Sequence, residues 1–470
     1  LTLCALAMES RRLGRARKPI IVVANSTLPQ FTGEFLRIYP GANVLMMGRE
    51  DMSKSERKRF VARVATGDWD AVIMPHSVFD RLALSKEMID GYAQELCDPI
   101  DLELASESLD RNVERKLQQT RESLVAKLDR MIDASTKDDH ILFSELGCDM
   151  VLIDEAHAYK NLFVQSKMQS VAGVSTNESQ RAMGMLLKTR YISELRGGQS
   201  GVVFASATPL TNTMTEVFVL QQYLQPVTLQ KFGIGHFDAW AANFGNVVTE
   251  VEVAPDGSGF RTKARFARFI NVPELATICS EFWDTVTPED VQGLIRPELE
   301  TGQPIIISVP ASPVQRAYTA MLSNRADDVR KRIVSPKEDN MLAIVLDGAK
   351  AALDMRIIDP TIEDHADSKV NACIRNVFEI WAKSSDLKAT QIVFCDLSVG
   401  NQPGFSVYED IAHKLINRGI PREQIAFAQN FKTDAKLMSL DRDMNAGKIR
   451  VLLGSSSVLG IGRNVQKRLL

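Results

Sequence analysis

The chain has 470 residues, which is long enough for two or three domains with their own hydrophobic cores. Its composition, 45% hydrophobic and 24% charged, excludes extensive disorder, and no apolar run approaches the length of a membrane span. The net charge of −3 does not indicate a nucleic-acid-binding protein, but such binding depends on local clusters rather than on total charge. The six cysteines are scattered without a Cys-x-x-Cys pair, which argues against a zinc site or a disulfide framework and favours a reducing cytoplasm.

The first part of the chain alternates short apolar runs with segments of helical periodicity. Strands are predicted at residues 20–24, 44–47, 71–75, 150–153 and 201–205, and helices include residues 53–65 and 180–195. Strands that alternate with helices predict a parallel sheet with helices on both faces. Residues 1–225 are therefore predicted to form the first lobe of an α/β protein.

A charged stretch, residues 101–135, is predicted to be a helical insertion in this lobe. Its apolar residues recur at spacings of three, four or seven, which places them in one stripe along a helix. Such a helix either protrudes as an arm that grips DNA or another subunit, or packs on the lobe with a solvated face. Its many acidic residues argue against contact with DNA, and we expect an arm in the architectural sense only.

The middle of the chain, residues 226–367, breaks the alternation and is predicted to be a mixed α+β connector. Two runs of alternating apolar and polar residues surround an Asp-Gly pair there, which is a hairpin signal. The second run carries Arg261, Lys263 and Arg265 on one face, which is either a phosphate-binding face or merely solvated. Residues 368–470 again alternate strands and helices, and they are predicted to form a second lobe.

Two adjacent carboxylates follow the fourth predicted strand, which ends in Asp154-Glu155-Ala156-His157. The carboxyl end of a strand is where open α/β sheets place their ligand sites. There Asp154 could hold Mg²⁺ and Glu155 could orient and deprotonate a water molecule, although acids at a strand end are more often merely solvated. The next strand ends in Ser206-Ala207-Thr208, which is either a partner of the acidic box or an ordinary hydroxyl turn before a proline. Together the two segments indicate a nucleic-acid-dependent ATPase.

Six segments, in family order, resemble the motifs of superfamily II DEAD/DEAH-box helicases and ATPases, in the SWI/SNF-like branch found in phages and mobile elements. They are residues 19–25 (motif Ia), 70–77 (motif Ib), 154–157 (motif II, Walker B), 206–208 (motif III), 391–398 (motif IV) and 451–466 (motif V). The resemblance implies ATP bound between two RecA-like lobes, each a parallel sheet with helices on both faces. The predicted fold class is therefore α/β, with two such lobes, the helical insertion and the mixed connector.

The resemblance also implies a role for each matching residue. The predicted catalytic residues come from motifs II and III, with Asp154 also as the Mg²⁺ ligand: Asp154, Glu155, His157, Ser206 and Thr208. The predicted nucleotide-binding residues are Asp154 and, from motif V, Gly460, Gly462, Arg463, Asn464 and Gln466. The predicted nucleic-acid contacts are Asn25, Ser26, His76 and Ser77. Two positions depart from the family pattern, since Ala24 stands where we expect proline and Arg463 where we expect a small or apolar residue.

Two elements of the family are missing from this sequence. No stretch reads Gly-x-x-x-x-Gly-Lys-Ser/Thr, the motif I (Walker A) loop that cradles phosphates, and the sequence stops just past motif V, before motif VI. We therefore expect a fragment of a longer protein, one that hydrolyses ATP poorly or not at all when alone. The full-length protein is expected to use ATP and Mg²⁺. A natural pseudo-ATPase that lost both elements is the less economical alternative.

The predicted function is that of an ATP-dependent translocase or helicase that moves on double-stranded DNA. Two alternatives stay open, an RNA helicase and a non-hydrolysing nucleic-acid-binding remnant. The resemblance extends to larger relatives that are fused to an adenine DNA methyltransferase, so a fused or associated methyltransferase is an expected partner in the full-length protein. The protein is expected to be cytoplasmic, with no membrane partner.

Overall fold

The computed structural model describes the whole chain except residues 49–50, 52–53, 106–110, 136–141, 165, 167–170, 172–178, 199–200, 212, 254–259, 294–297, 300, 336, 399–403, 432 and 461–463. The chain forms two compact units. The first unit comprises Leu1–Glu252 and Arg261–Thr287, and the second comprises Val253–Phe260 and Pro288–Leu470. These units differ from the three predicted segments 1–225, 226–367 and 368–470, because both units contain part of the predicted connector.

The first unit is built on a sheet of five parallel strands in the order β2-β3-β1-β4-β5. Their bounds are Pro19–Val23 (β1), Val44–Met46 (β2), Ala71–Pro75 (β3), Met150–Ile153 (β4) and Val202–Phe204 (β5). Every residue of β1 and β3 is buried, as expected for apolar runs covered on both sides. In the central register, Ile20 of β1 pairs with Val72 of β3 and with Val151 of β4.

Helices cover both faces of this sheet, so adjacent residues of one strand belong to different cores. Ile21 of β1 packs with the first two helices, whereas Ile20 and Val22 pack with a larger helical layer on the other face. The helices of the first unit are Thr2–Arg12 (α1), Leu28–Ile38 (α2), Lys54–Thr66 (α3), His76–Phe79 (α4), Lys86–Leu104 (α5), Arg111–Ser135 (α6), Gln180–Leu195 (α7), Thr215–Leu224 (α8), Pro226–Lys231 (α9), Phe237–Phe244 (α10) and Val272–Cys279 (α11).

The predicted insertion contains parts of two helices, α5 and α6, rather than one continuous helix. Three leucines of its apolar stripe are buried in the same core as the sheet, with Leu117, Leu124 and Leu128 at 7%, 4% and 3% exposure. Arg121 of α6 forms an ion pair of 2.5 Å with Asp101 of α5. The expectation of an arm is therefore corrected, because the stripe packs α6 against the rest of the first unit.

The predicted hairpin is present as a two-stranded sheet of Gly245–Val253 (β6) and Phe260–Phe269 (β7). Its base packs on aromatic rings of α10, since the centre of the Phe237 ring lies 5.6 Å from that of Phe266 and 6.1 Å from that of Trp240. Large aromatic side chains contribute much of the apolar area that a core buries. This packing explains why the segments before and after the hairpin belong to the first unit.

The second unit contains a sheet of three parallel strands in the order β8-β10-β9. The strands are Gln391–Phe394 (β8), Ile425–Phe427 (β9) and Val451–Gly454 (β10). Val451 and Leu453 face one core and Leu452 faces another, so this sheet is also covered on both sides. The helices of this unit are Pro313–Arg330 (α12), Met341–Leu353 (α13), Lys369–Lys383 (α14), Val407–Asn417 (α15), Asp434–Asn445 (α16) and Ser456–Leu459 (α17).

A buried arginine joins β10 to α14. Arg450 donates hydrogen bonds to the carbonyls of Ala389, at 3.0 Å, and Trp381, at 2.8 Å. Its guanidinium carbon lies 5.1 Å from the ring centre of Trp381. The indole N–H of Trp381 donates in turn to Oε1 of Gln424, at 2.8 Å. Two guanidinium nitrogens of this arginine and the indole N–H of the tryptophan are thus hydrogen-bonded inside the unit, as burial requires.

The predicted fold class is confirmed. The protein is α/β, with two parallel sheets that are each covered by helices on both faces and with a hairpin and further helices between them in sequence. Among the residues that the structure describes, no helix combines the length and apolarity needed to cross a membrane.

Two glycine-to-alanine substitutions in the first unit are expected to change stability in opposite directions. At Gly245 a Cβ would lie 1.9 Å from Cζ of the buried Phe266 ring, and Gly245→Ala should lower the free energy of unfolding by about 1–3 kcal/mol because the ring must move. Gly33 is exposed within α2 and has nothing within 4 Å of a Cβ, so Gly33→Ala should raise it by about 0.5–1 kcal/mol. Urea unfolding measures both changes, and a Gly245→Ala variant of unchanged stability would contradict this packing.

Candidate active site

The residues predicted to act together follow four strands of the first sheet. Because β1, β3, β4 and β5 are parallel, their carboxyl ends lie at one edge. After β1 the chain continues to β2 at one end of the strand order, and after β4 it continues to β5 at the other end. Open α/β sheets bind ligands in the crevice between two adjacent strands whose connections run in opposite directions in this way. The backbone N–H of Asp154, the first residue after β4, donates to the carbonyl of Val22 in β1 at 2.8 Å. The acidic box therefore lies at this crevice.

The backbone of the acidic box is strained at Glu155. This residue has φ 52° and ψ 47°, a left-handed conformation that costs a non-glycine residue about 1–3 kcal/mol. Burial, and then the neighbouring Glu155 carboxylate, raise the pKa of Asp154, whereas the hydrogen bond from the backbone N–H of Glu155 acts in the opposite direction. A half-buried carboxylate with these neighbours is one whose charged form a nearby cation would stabilise.

The first helix packs on one face of the same sheet. α1 begins at Thr2 and packs through Leu3 and Cys4 on the face of the sheet that contains Ile21.

His157 connects the acidic box to the segment after β5. Its Nδ1 lies 3.2 Å from Oγ of Ser206 and 3.2 Å from Oε2 of Glu155. The Ser206 hydroxyl also accepts a hydrogen bond from the backbone N–H of Thr208, at 3.1 Å. The box and the Ser-Ala-Thr turn therefore contact each other through His157 and Ser206, and Thr208 takes part through its backbone.

A second connection runs between the same two segments. Nζ of Lys160 lies 3.2 Å from Oε1 of the buried Glu216 and also donates to the Thr211 hydroxyl. The backbone N–H of Thr211 donates to Oε2 of Glu216, at 2.6 Å. Because Lys160 follows the acidic box and the other two residues follow the Ser-Ala-Thr turn, motifs II and III are joined twice.

His76, which was predicted to contact nucleic acid, lies inside the first unit. This side chain is 7% exposed, and both of its ring nitrogens are engaged inside the protein. Nε2 lies 2.8 Å from the backbone carbonyl of Asp154 and Nδ1 lies 3.0 Å from the hydroxyl of Tyr159. Since a carbonyl only accepts, Nε2 carries the proton of the first contact. Burial, followed by the charge of Arg181, lowers the pKa of His76 to about 4, so this imidazole is buried and neutral at pH 7 and fixes the backbone of the box.

The other predicted nucleic-acid contacts lie at the surface of the sheet edge. Asn25 is exposed, and its Oδ1 accepts from the backbone N–H of Ser77, at 3.4 Å. Ser26 and Ser77 are partly exposed. The ends of β1 and β3 thus present amide and hydroxyl groups side by side, and their contact with nucleic acid stays a prediction.

A buried polar network lies behind the acidic box. The Tyr159 hydroxyl donates to Oδ1 of Asp80, at 2.9 Å, and Oδ2 of Asp80 forms a 2.7 Å ion pair with Arg181. The Arg181 guanidinium carbon lies 4.6 Å from the centre of the Tyr159 ring. Nearby, Lys188 is buried and donates to the carbonyl of Phe79 at 2.7 Å, and burial lowers the pKa of Lys188 to about 8.

In the second unit, motifs IV and V are joined by a carboxylate. Asp396 accepts hydrogen bonds from the backbone N–H of Ser456, at 2.6 Å, and from the Ser456 hydroxyl, at 2.9 Å. Gly460 lies directly after α17, where a Cβ would lie 2.4 Å from the Ser456 carbonyl oxygen. Glycine is thus required at this position by the close approach of the preceding turn.

The other predicted nucleotide-binding residues of motif V are described in part. Asn464 and Gln466 are exposed, and the Asn464 carbonyl accepts from the Asn445 side chain at 2.7 Å. Gly462 and Arg463 lie outside the described residues. Contact between motif V and a nucleotide stays a prediction.

Comparison with known proteins identifies the family. Residues 1–287 match the family model described as a probable helicase domain. The chain belongs to this helicase family. The resemblance to helicases drawn from the sequence is thereby confirmed. The chain is also 26% identical over 264 residues to the defense against restriction protein B of Escherichia phage P1, a match that covers 54% of this chain and 12% of that relative. The chain therefore corresponds to only a small part of that protein.

Two solved structures of a Sulfolobus solfataricus SWI2/SNF2 ATPase core align with 96% of this helicase-family chain. The core in complex with dsDNA is 12% identical, is covered over 70% of its length and gives a TM-score of 0.31. The core domain alone is 11% identical, is covered over 68% and gives a TM-score of 0.30. TM-scores of this size do not establish a common fold by themselves, and the fold class of this helicase-family protein rests on its strand order.

The residues that sequence reasoning missed are those that support the helicase motifs from inside: Asp80, Tyr159, Arg181, Lys188 and Glu216. For two of them a signal was present. Lys188 interrupts an apolar run of α7 and Glu216 stands in the first turn of the apolar α8, and buried charges are costly unless they are paired. For Tyr159 the sequence offers no signal, because a core tyrosine and a hydrogen-bonding tyrosine occupy the same kind of apolar segment.

Asp154→Asn is expected to stabilise the fold in metal-free buffer. Because folding raises the pKa of Asp154, the ionised carboxylate destabilises the folded state at pH 7, and this cost disappears as the pH falls below the pKa of the unfolded carboxyl. A neutral amide removes the cost. The midpoint of urea unfolding at pH 7 should rise, and the gain should shrink at acidic pH. Asp149→Asn is the matched control, and it should lower the midpoint because Asp149 accepts hydrogen bonds from the backbone of Arg17 and Lys18.

Burial of neutral His76 is expected to make the first unit less stable in acid. Its folded pKa of about 4 lies below the ordinary value of 6.5, so below pH 6.5 the unfolded chain takes up a proton that the folded chain refuses. Stability should fall by up to about 1.4 kcal/mol per pH unit over this interval. His76→Gln removes the titration, and its urea midpoint should depend less on pH. Equal pH dependence of the two proteins would contradict the assignment.

Proposed function

We propose that this chain is the motor segment of an ATP-dependent translocase or helicase that moves on double-stranded DNA. The observation that carries the proposal is the acidic box at the crevice of the first sheet, joined through His157 to Ser206 at the next strand end. Membership of the helicase family gives the general kind of activity. The proposal adds that the movement is coupled to ATP hydrolysis and that the nucleic acid is DNA.

Asp154 fits a Mg²⁺ ion. Proteins bind Mg²⁺ through one or two carboxylates together with water and substrate phosphates, so this site does not require the cluster of three His, Cys, Asp or Glu that is lacking among the described residues. The raised pKa of Asp154 belongs to a carboxylate that a cation would stabilise. When bound there, the ion would supply positive charge to the β- and γ-phosphates of ATP.

Glu155 fits the role of the base that activates water. Its side chain is 31% exposed and its Oε2 lies 3.2 Å from Nδ1 of His157, which can fix its orientation. A carboxylate at this place would accept a proton from the attacking water. Through the contact between His157 and Ser206, a change at the phosphates on hydrolysis would then shift the segment that follows β5. Motif V would complete the nucleotide contacts through Gly460, Gly462, Arg463, Asn464 and Gln466.

Asn25, Ser26 and Ser77 fit contacts to a sugar–phosphate backbone. Amide and hydroxyl side chains at loop tips position a protein on nucleic acid without reading its sequence, which suits a motor that moves along it. The phage P1 relative is named for defense against restriction, a process that acts on DNA, and this supports DNA over RNA. A DNA methyltransferase, fused or associated, is proposed as a partner of the full-length protein on the sequence resemblance alone.

Glu155→Gln in the full-length protein tests the proposal. ATP should still bind, whereas the rate of hydrolysis with saturating duplex DNA should fall by about 10²–10⁴-fold, the usual contribution of a general base. Glu122→Gln, at an exposed position of α6, is the matched control and should leave the rate unchanged.

Two results would replace the proposal with an alternative. If single-stranded RNA stimulates hydrolysis and duplex DNA does not, the protein is an RNA helicase. If neither nucleic acid stimulates hydrolysis and Glu155→Gln leaves nucleic-acid binding untouched, the chain is a non-hydrolysing nucleic-acid-binding protein.

A further inference from the structure

We propose that His76 and Tyr159 are positioning residues that couple the nucleic-acid side of the first unit to the acidic box. The inference rests on the proposed function, because it concerns how nucleic acid bound at the ends of β1 and β3 would accelerate hydrolysis at Asp154 and Glu155. Neither residue touches substrate in this account, since both act through the backbone of the box.

The first part of the connection runs from the surface to Asp154. Ser77 is hydrogen-bonded through its backbone to the exposed side chain of Asn25, at 3.4 Å. The residue before it, His76, donates from Nε2 to the backbone carbonyl of Asp154, at 2.8 Å. A displacement of the β3 end is thus transmitted to the main chain of Asp154 by one side chain.

The second part of the connection holds the far end of the acidic box. Tyr159 ends the 3-10 turn Ala156–Tyr159 that follows Glu155. Its hydroxyl lies 3.0 Å from Nδ1 of His76, the same residue that contacts the Asp154 carbonyl through Nε2. The left-handed Glu155 therefore lies between two fixed points. Strained conformations persist only where the surrounding structure determines them in this way.

The Tyr159 hydroxyl can take two hydrogen-bonding states. It has one proton, and two acceptors lie within reach, Nδ1 of His76 at 3.0 Å and Oδ1 of Asp80 at 2.9 Å. In one state Tyr159 is bonded to His76 and thereby to Asp154. In the other it is bonded to Asp80, whose second oxygen is paired with Arg181. An element with two arrangements is what coupling between two sites requires.

Removal of the Tyr159 hydroxyl tests the coupling. In the full-length protein, Tyr159→Phe keeps the buried ring and removes both states. We expect kcat with saturating duplex DNA to fall by about 10–100-fold, the effect of a small misplacement of catalytic groups. The KM for ATP should change by less than about twofold, because an effect that acts only in the transition state lowers kcat and leaves KM unchanged. If Tyr159 had only a structural role, the variant would have a lower melting temperature but would not show a fall in kcat at an unchanged KM.

Tyr223→Phe is the matched control. The Tyr223 hydroxyl is as deeply buried, and it donates to the carbonyls of Tyr159 and Ala182, at 3.0 and 2.9 Å. Its removal is thus the same chemical change next to the same turn, without a contact to His76 or Asp80. We expect this variant to lose stability and to keep its kcat.

A pair of substitutions at His76 separates its two ring nitrogens. The amide nitrogen of glutamine can occupy the place of Nε2, which donates to Asp154, whereas that of asparagine corresponds to Nδ1. His76→Gln keeps the contact to Asp154 and loses the contact to Tyr159, so it should lose about as much stimulation by DNA as Tyr159→Phe, whereas His76→Asn should lose more. Equal losses in the two variants would contradict a route through the Asp154 carbonyl.

The outcomes distinguish this inference from the proposed function. If the unmodified full-length protein does not hydrolyse ATP in the presence of DNA, the proposed function fails and the inference fails with it. If the unmodified protein is stimulated by DNA but Tyr159→Phe is stimulated equally, or Tyr223→Phe loses as much kcat, the proposed function stands and the inference alone is overturned.

Discussion

The candidate site depends on one geometric constraint, the parallel alignment of the strands in the first sheet. Parallel strands bring the ends of β1, β3, β4 and β5 to one edge although they are far apart in sequence. The hydrogen bond from Asp154 to Val22 fixes the box beside the central strand. The contacts from the box to His76 and Ser206 follow from the same alignment, because His76 directly follows β3 and Ser206 lies two residues beyond β5, both at this edge.

The conformation of the acidic box at this edge of the sheet costs free energy, and buried polar contacts on the protein side of the box offset that cost. Glu155 is held in a left-handed conformation and Asp154 is partly removed from water. Against these stand the buried contacts of Tyr159 and His76 and the ion pair between Asp80 and Arg181. Buried polar networks stiffen a structure when their members are satisfied. A site that must hold a metal and a water in fixed positions requires a stiff support. The buried network provides that support, and the carboxylates on its other side stay partly exposed.

The sequence was most informative where a single pattern has a single structural meaning. The bounds of α7 were predicted correctly. The strands of the first sheet were also predicted to within one residue at each end, helped by short apolar runs such as β1 and β3 that are buried on both faces. The acidic box and the Ser-Ala-Thr turn were recognised for a similar reason, since both stand directly after such runs.

The sequence was least informative where tertiary contacts decide. The segments around the hairpin belong to the first unit through the packing of Phe237, Trp240 and Phe266, which no local pattern encodes. The insertion was predicted as one helix, because its apolar stripe continues across the boundary between α5 and α6. His76 was assigned to the surface, since a histidine at a strand end looks the same in sequence whether it faces water or, as here, the backbone after another strand of the sheet.

The placement of the tryptophans gives each unit its own optical reporter. Of the four tryptophans in the sequence, Trp381 is the one whose position falls in the second unit, and its indole lies 5.1 Å from the guanidinium carbon of Arg450. Trp240, in contrast, is fully buried among the aromatic rings of the first unit. Intrinsic fluorescence before and after Trp381→Phe would therefore resolve the emission of the two units, so that events in either one can be followed without an attached dye.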